Sequence, residues 1–235
     1  MKNNIFENYI YNNKNRPLSK WAHYFEIYEK HFNKFRNEKI SLLEIGVGQG
    51  GSLQMWKEYF GENISIVGLD IGSHCKNYEE SQINVEIGSQ YDSIVLDDLI
   101  YKYKNFDIII DDGSHISEHI IFSFNHLFKH LNEGGIYLVE DVHTSYVESF
   151  GGGLGRKGSF VEFVKDKFDE VNFFSIDHNA AQSNYITKYV HSINVYDSVV
   201  VFEKKFKKTK PYSIGSPGNS LPVEKSPSEN LNLDY

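Results

Sequence analysis

Residues 107–119 read DIIIDDGSHISEH: three isoleucines fit for a strand buried on both faces, then two acids and, three residues on, a histidine. A second acid pair, Glu140 and Asp141, ends the apolar run GGIYLVED. Carboxylates brought together repel unless a cation neutralises them or their pKa values rise. Oxygen donors with no nearby cysteine suit Mg²⁺, Mn²⁺ or Ca²⁺ better than zinc. A histidine beside such a cation suits a general base: the cation acidifies a chelated hydroxyl and the imidazole of His115 takes its proton. The competing expectation is that the acids cap the helices following them, since SEH and DVH are plausible helix starts. His126 and His130 are four residues apart, but without an HExxH pattern they read as a packing or solvated face.

These residues need a scaffold, and the chain supplies the pattern for one. Strand signals at SLLEIG (41–46), SIVGLDI (65–71), INVEIG (83–88), FDIIID (106–111) and GGIYLVED (134–141) alternate with helical periods. Strands this continuously apolar predict a mostly parallel α/β sheet covered on both faces. A helix near 159–170 follows, then YVHSINVYDSVVVFEKK, two β-rich runs about a Tyr-Asp-Ser turn, predicts an antiparallel hairpin at the sheet edge. Trp21, Phe25, Tyr28, Phe32 and Phe35 predict one amphipathic helix over 18–36. The expected organisation is an N-terminal helical segment over 1–38, a catalytic domain over 39–205 and an extended tail over 206–235.

LLEIGVGQGGSLQMW sets a glycine loop between the first strand and the first helix of the core. Gly46, Gly48 and Gly51 satisfy GxGxxG, and Glu44 with Gly46, Gly48 and Gly50 satisfies the looser ExGxGxG of methyl-donor enzymes. Either pattern brings backbone close to a ligand at a helix N-terminus, where Ser52 follows. Asp70 closes the second strand, where an acid accepts hydrogen bonds from both ribose hydroxyls of a nucleoside. Ser89 and Gln90 fall on the adenine side, and Asp111 completes the cofactor-side residues. NAD and S-adenosylmethionine share this geometry; the antiparallel edge favours the methyltransferase variant of the Rossmann-like fold. An NAD-dependent oxidoreductase and a non-catalytic nucleoside-binding protein are the alternatives.

LLEIGVGQGGSLQMW, GLDI, IIIDDGSH and LVEDVHTSY resemble the metal-dependent O-methyltransferases of macrolide sugars (mycinamicin type) and the related cephalosporin-hydroxylase-like family, over about residues 18–150. The resemblance implies a class I methyltransferase fold, S-adenosylmethionine, Mg²⁺ (or Mn²⁺) and methylation of a sugar hydroxyl. It also implies Asp112, Glu140 and Asp141 as metal ligands and His115 as the base. His143 and Tyr146, past the fifth strand, and Arg156 in the glycine-rich FGGGLGRKGSF (150–160) are acceptor-side candidates. Those five glycines predict a mobile lid. Arg156 and Lys157 suggest an anionic acceptor, such as a nucleotide-linked or surface-glycan precursor.

The bulk composition bounds the partners. The 235 residues are 40 % hydrophobic and 24 % charged, as in a folded globular chain, and the formal net charge is −8. With KKFKKTK (204–210) the one basic cluster, no nucleic-acid surface is expected. The single cysteine, Cys75, excludes an intrachain disulfide and fits a reducing compartment. The polar N-terminus and the lack of any apolar run of about 18 residues lead to a cytoplasmic expectation without membrane insertion. A homo-oligomer is left open.

Overall fold

Among the described residues seven strands form one sheet in the order β3-β2-β1-β4-β5-β7-β6. They are β1 (Ser41–Ile45), β2 (Ser65–Asp70), β3 (Ile83–Ile87), β4 (Phe106–Asp111), β5 (Leu131–Val139), β6 (Val190–Tyr196) and β7 (Val199–Lys204). The computed structural model describes residues 5–176, 184–208 and 213–214, so most of the expected tail lies outside the described residues. β1 to β5 are parallel, while β7 runs antiparallel to both β5 and β6. The expected hairpin is therefore present, folded so that its second strand lies inside its first.

The helices are α1 (Ile5–Asn12), α2 (Tyr24–Phe32), α3 (Gly51–Phe60), α4 (Ser93–Tyr103), α5 (Ser117–Leu127), α6 (Phe160–Ile176) and α7 (Tyr185–Tyr189). One core cluster packs α1, α2 and α3 on the sheet face that carries Leu42, Ile66, Ile108, Ile110, Ile136 and Leu138. The other packs α4, α5 and α6 on the face that carries Leu43, Val67, Ile109, Tyr137 and Val139. Two apolar layers explain the uninterrupted strand hydrophobicity.

The expected 18–36 helix is shorter, because the chain becomes helical only at Tyr24. Trp21 consequently sits outside it and is 46 % exposed, whereas Phe25, Tyr28 and Phe32 are buried. β5 starts at Leu131, three residues before the expected Gly134, because the preceding helix closes in a short 3-10 turn at Phe128–His130. Among the described residues no helix is long and apolar enough to cross a membrane.

The strand register places the site. Ile45 pairs with both Leu69 and Asp111, and Asp111 with Val139. The ladder runs one residue further: Gly46 N donates to Leu69 O (2.8 Å), Asp112 N to Ile45 O (2.9 Å) and Glu140 N to Asp111 O (2.9 Å). Gly46, Asp70, Asp112 and Glu140 thus line up along the carboxyl edge of the parallel strands, where open α/β sheets hold their ligands.

Candidate active site

Successive strand residues point to opposite faces, so Glu44, Asp112 and Glu140 continue the face of Leu42, Ile110 and Leu138, beneath α2. Into this acidic patch comes Lys20, whose side chain is only 4 % exposed. Its Nζ lies 2.5 Å from Asp112 Oδ2, 2.8 Å from Glu140 Oε2 and 3.9 Å from Glu44 Oε1. Tyr28 donates to Glu140 Oε1 at 2.7 Å, and Ser52 to Glu44 Oε2 at 2.8 Å. Burial, reinforced by the charge of Asp112, raises the Glu140 pKa to about 8 against the opposing pull of Lys20. Burial likewise raises Glu44 to about 7. Burial alone would lower Lys20, but Glu140, Asp112 and Glu44 outweigh it and hold the ammonium well above its ordinary value. The cluster is short of positive charge.

On the outer side of the patch, Asp112, His115 and Asp141 each offer a ligand atom, all within 4.8 Å of one another. His115 Nε2 is 4.0 Å from Asp112 Oδ1 and 3.6 Å from Asp141 Oδ2. Both His115 (φ 57°) and Asp141 (φ 52°) are left-handed, a conformation costing a non-glycine residue on the order of 1 kcal/mol. Thr144 ties the two together, its Oγ1 lying 3.1 Å from the His115 carbonyl and 2.8 Å from that of Asp141. Tyr24 donates to Asp141 Oδ1 at 2.7 Å. The acids do not serve as helix caps: α5 starts at Ser117 with no side-chain cap, and so does the 3-10 turn after Asp141.

Two adjoining cavities open onto the same edge. One of about 240 Å³ is lined by Leu69, Asp70, Ile71, Ser89, Gln90 and Ser114, among others. The other, about 300 Å³, is lined by Pro17, Lys20, Gly48, Ser52, Asp112 and His115, among others. Gly46, Asp70 and Gly113 line both. Asp70 Oδ2 accepts from Val47 N (2.8 Å) and Gly48 N (3.1 Å), and Oδ1 from Gly72 N (2.8 Å). Burial pushes its pKa up, but these backbone donors prevail and hold the carboxyl below its usual value. Asp70 therefore stays ionised and braces the glycine loop.

Over 190 residues, 75 % of this chain and 47 % of the relative, the sequence is 38 % identical to demethylmacrocin O-methyltransferase of Streptomyces fradiae. Over 188 residues, again 75 % and 47 %, it is 36 % identical to mycinamicin VI 2''-O-methyltransferase of Micromonospora griseorubida. Over the matched residues the chain is homologous to these two O-methyltransferases. The solved structure of MycE methyltransferase from the mycinamycin biosynthetic pathway, in complex with Mg, SAH and mycinamycin VI, matches at a TM-score of 0.77. Identity to it is 30 %, over 92 % of this chain and 56 % of that one. No protein-family model matches. The chain spans about half the length of the curated relatives it matches.

Against these sugar O-methyltransferase relatives the class I methyltransferase fold expected from the sequence holds, and nothing among them recommends the oxidoreductase or binding-protein alternatives. The expected site residues divide into layers. Gly46, Gly48, Ser52, Asp70, Ser89 and Gln90 line the two cavities. Glu44, fully buried, lies beneath the glycine loop. Asp111 differs from its cofactor-side expectation. Its carboxylate is buried on the α5 face, accepting from Gln90 Nε2 (3.0 and 3.1 Å) and from Ser123 Oγ (2.7 Å). It shapes the cavity through Gln90 and lines neither lobe. Burial raises its pKa to about 6.

His143 and Tyr146 border a further cavity of about 300 Å³, with Val142, Val164, Phe168 and Val195. His143 Nδ1 is 2.6 Å from Ser198 Oγ, and its ring stacks on exposed Trp21 (4.8 Å, 19°). Arg156 donates to Gly152 O of its own loop (3.1 Å) and borders none of these cavities. The glycines expected to make a lid have a backbone reason to be there: Gly151, Gly153, Gly155 and Gly158 all have positive φ. Lys20 and Tyr28, which organise the acids, carry no local signal; the acids they hydrogen-bond lie more than 90 residues away.

Proposed function

We propose that this chain is an S-adenosylmethionine- and Mg²⁺-dependent O-methyltransferase acting in the cytoplasm on a hydroxyl of a sugar-bearing small molecule. The observation carrying this reading is the placement of the His115 imidazole against Asp112 and Asp141, at the mouth of a cavity that begins on the glycine loop and Asp70. The relatives' names point to sugar hydroxyls: one acts on a rhamnosyl tetracenomycin, another on mycinamicin VI.

The donor set fits a hard divalent cation. Asp112, Glu140 and Asp141 would supply carboxylate oxygens, and Glu44 Oε1 beside them is buried without a hydrogen bond, with the Lys20 ammonium 3.9 Å away. A carboxylate offers about four lone-pair sites, so Glu140 Oε2 can accept from Lys20 and still face a cation. When bound, the cation would lower the pKa of an acceptor hydroxyl. The chain's own groups do the rest. His115 takes the hydroxyl proton as the oxygen forms its bond to the methyl carbon and the carbon–sulfur bond breaks, leaving the thioether. Asp70 accepts the ribose hydroxyls, and the glycine loop lets backbone lie against the cofactor. His143 and Tyr146, with Trp21 stacked on the His143 ring, are the aromatic groups against which the sugar would rest.

Transfer of labelled methyl from S-adenosylmethionine to a panel of glycosylated small molecules and nucleotide sugars tests the proposal. Turnover should vanish in excess EDTA and return with Mg²⁺ or Mn²⁺. Full turnover under chelation would remove the metal from the mechanism, and NAD binding without S-adenosylhomocysteine binding would remove the methyl donor. Asp70→Ala should weaken S-adenosylhomocysteine by about tenfold or more, since hydrogen bonds to a charged acceptor contribute roughly 1.5–3 kcal/mol. Unchanged affinity by calorimetry in the folded variant would unseat Asp70 from the ribose.

A further inference from the structure

The sheet edge collects Glu44, Asp112 and Glu140 around the buried ammonium of Lys20, and Asp141 joins Asp112 and His115 beside them. Lys20 differs from a surface lysine that happens to fall near acids, because its approach is fixed by the chain that carries it. Residues just before it cross the glycine loop so tightly that a Cβ on Gly51 would lie 2.3 Å from Pro17 O. Arg16 anchors this strap, donating to Tyr78 O (2.9 Å) and Glu80 Oε2 (3.1 Å), while its backbone N–H donates to Gln54 (3.2 Å). The ammonium thus reaches Asp112 at Oδ2, while His115 lies against Oδ1.

The ammonium takes the inner oxygens only. It donates to Asp112 Oδ2 and Glu140 Oε2, while Asp112 Oδ1 turns toward His115. Glu140 is held at its other oxygen by Tyr28 and cannot rotate away without breaking both bonds. Without a cation between them, the Asp112 and Glu140 carboxylates would repel across a buried gap.

We propose that Lys20 is a positioning residue of the cation site. Its ammonium ties Asp112 to Glu140 by their inner oxygens, so that the outer oxygen of Asp112 is presented, with Asp141, to a divalent cation. On this reading the Lys20 ammonium acts on the two carboxylates and not on the reacting atoms. The inference rests on the metal reading given above, and deepens it by assigning two cations to the cluster, one built in and one acquired.

The test is Mn²⁺ binding to the full chain without cofactor or acceptor, following free Mn²⁺ by electron paramagnetic resonance. Lys20→Met keeps the stem and removes the charge; its Mn²⁺ dissociation constant should rise at least tenfold. Lys20→Ala should be similarly impaired and recover on adding propylammonium but not propanol, which has the same bulk and no charge. That rescue also serves if the methionine variant does not fold, since the alanine variant is prepared in propylammonium. A folded Lys20→Met variant that binds Mn²⁺ as well as or better than wild type overturns the proposal, as does equal rescue by propanol. Failure of the wild-type chain to bind Mn²⁺ would instead bring down the metal reading itself.

Discussion

Replacing His115 is expected to lower kcat by about 10²–10⁴-fold, the span of a positioned general base, with little change in Mn²⁺ or S-adenosylhomocysteine affinity. The backbone offers an unusually clean control. His115 holds φ 57°, a conformation glycine adopts freely and histidine only at some cost. His115→Gly should therefore lose turnover as severely as His115→Ala while melting no lower than it, since it sheds the strain along with the imidazole. His115→Asn, which tolerates the left-handed region, separates loss of the base from loss of the backbone shape. Turnover and melting temperature measured side by side decide the matter. Near-normal kcat in any folded variant lacking the imidazole would assign the proton to another acceptor.

The strain at His115 also shows what the sequence could and could not convey. The apolar strands, the glycine loop and the edge hairpin were legible because they are local: each is written in adjacent residues, and the parallel order follows from alternation with helices. Strand parity carries more than it first suggests. Asp111 and Asp112 are neighbours and must point to opposite faces; one joins Gln90 and Ser123 under α5, the other joins Lys20. The residue pair DD thus reads as one motif and folds into two environments. The same parity explains why Glu44 and Glu140 share a face with Asp112.

Other features had no local signature. Lys20 is bound to residues 92 and 120 positions away, a pairing only the strand register creates. Trp21 fitted the apolar face of a helix by spacing, yet the helix starts at Tyr24 and leaves the indole stacked on His143. What decided that boundary is tertiary: the strap over the glycine loop and the Lys20 ion pairs hold residues 17–20 outside the helix, and a turn at residues 22–23 leads into it. α1 falls within the helical segment expected over 1–38, although no period of its own marked it out. Its Phe6 stacks on Tyr59 (4.3 Å) and contacts Trp56 and Tyr28 edge-on, so its helix is stabilised by packing more than by its own short pattern.

The glycine loop separates two roles that its motif merges, and substitution should pull them apart. A Cβ at Gly46 would sit 2.0 Å from Asp112 O and 2.6 Å from Asp112 C, at φ 92°. Both contacts are backbone, with no flexible side chain to give way, so Gly46→Ala must force the loop off the end of β4. Overpacking and the unfavourable φ together should cost about 3–5 kcal/mol, a fall in melting temperature of roughly 6–20 °C for a domain this size. Mn²⁺ affinity should fall with it, because Asp112 moves. At Gly48, φ is 55° and nothing lies within 4 Å of the added methyl. Gly48→Ala should cost only about 1–2 kcal/mol and keep its Mn²⁺ site. Gly48 faces the cavity, however, so the methyl would occupy space the cofactor needs, and S-adenosylhomocysteine affinity should drop at least tenfold. Calorimetric melting and ligand titration of the two variants form the measurement. A Gly46→Ala protein as stable as wild type would show that the loop does not rest on β4. A Gly48→Ala protein that binds S-adenosylhomocysteine normally would move the cofactor away from the glycine loop.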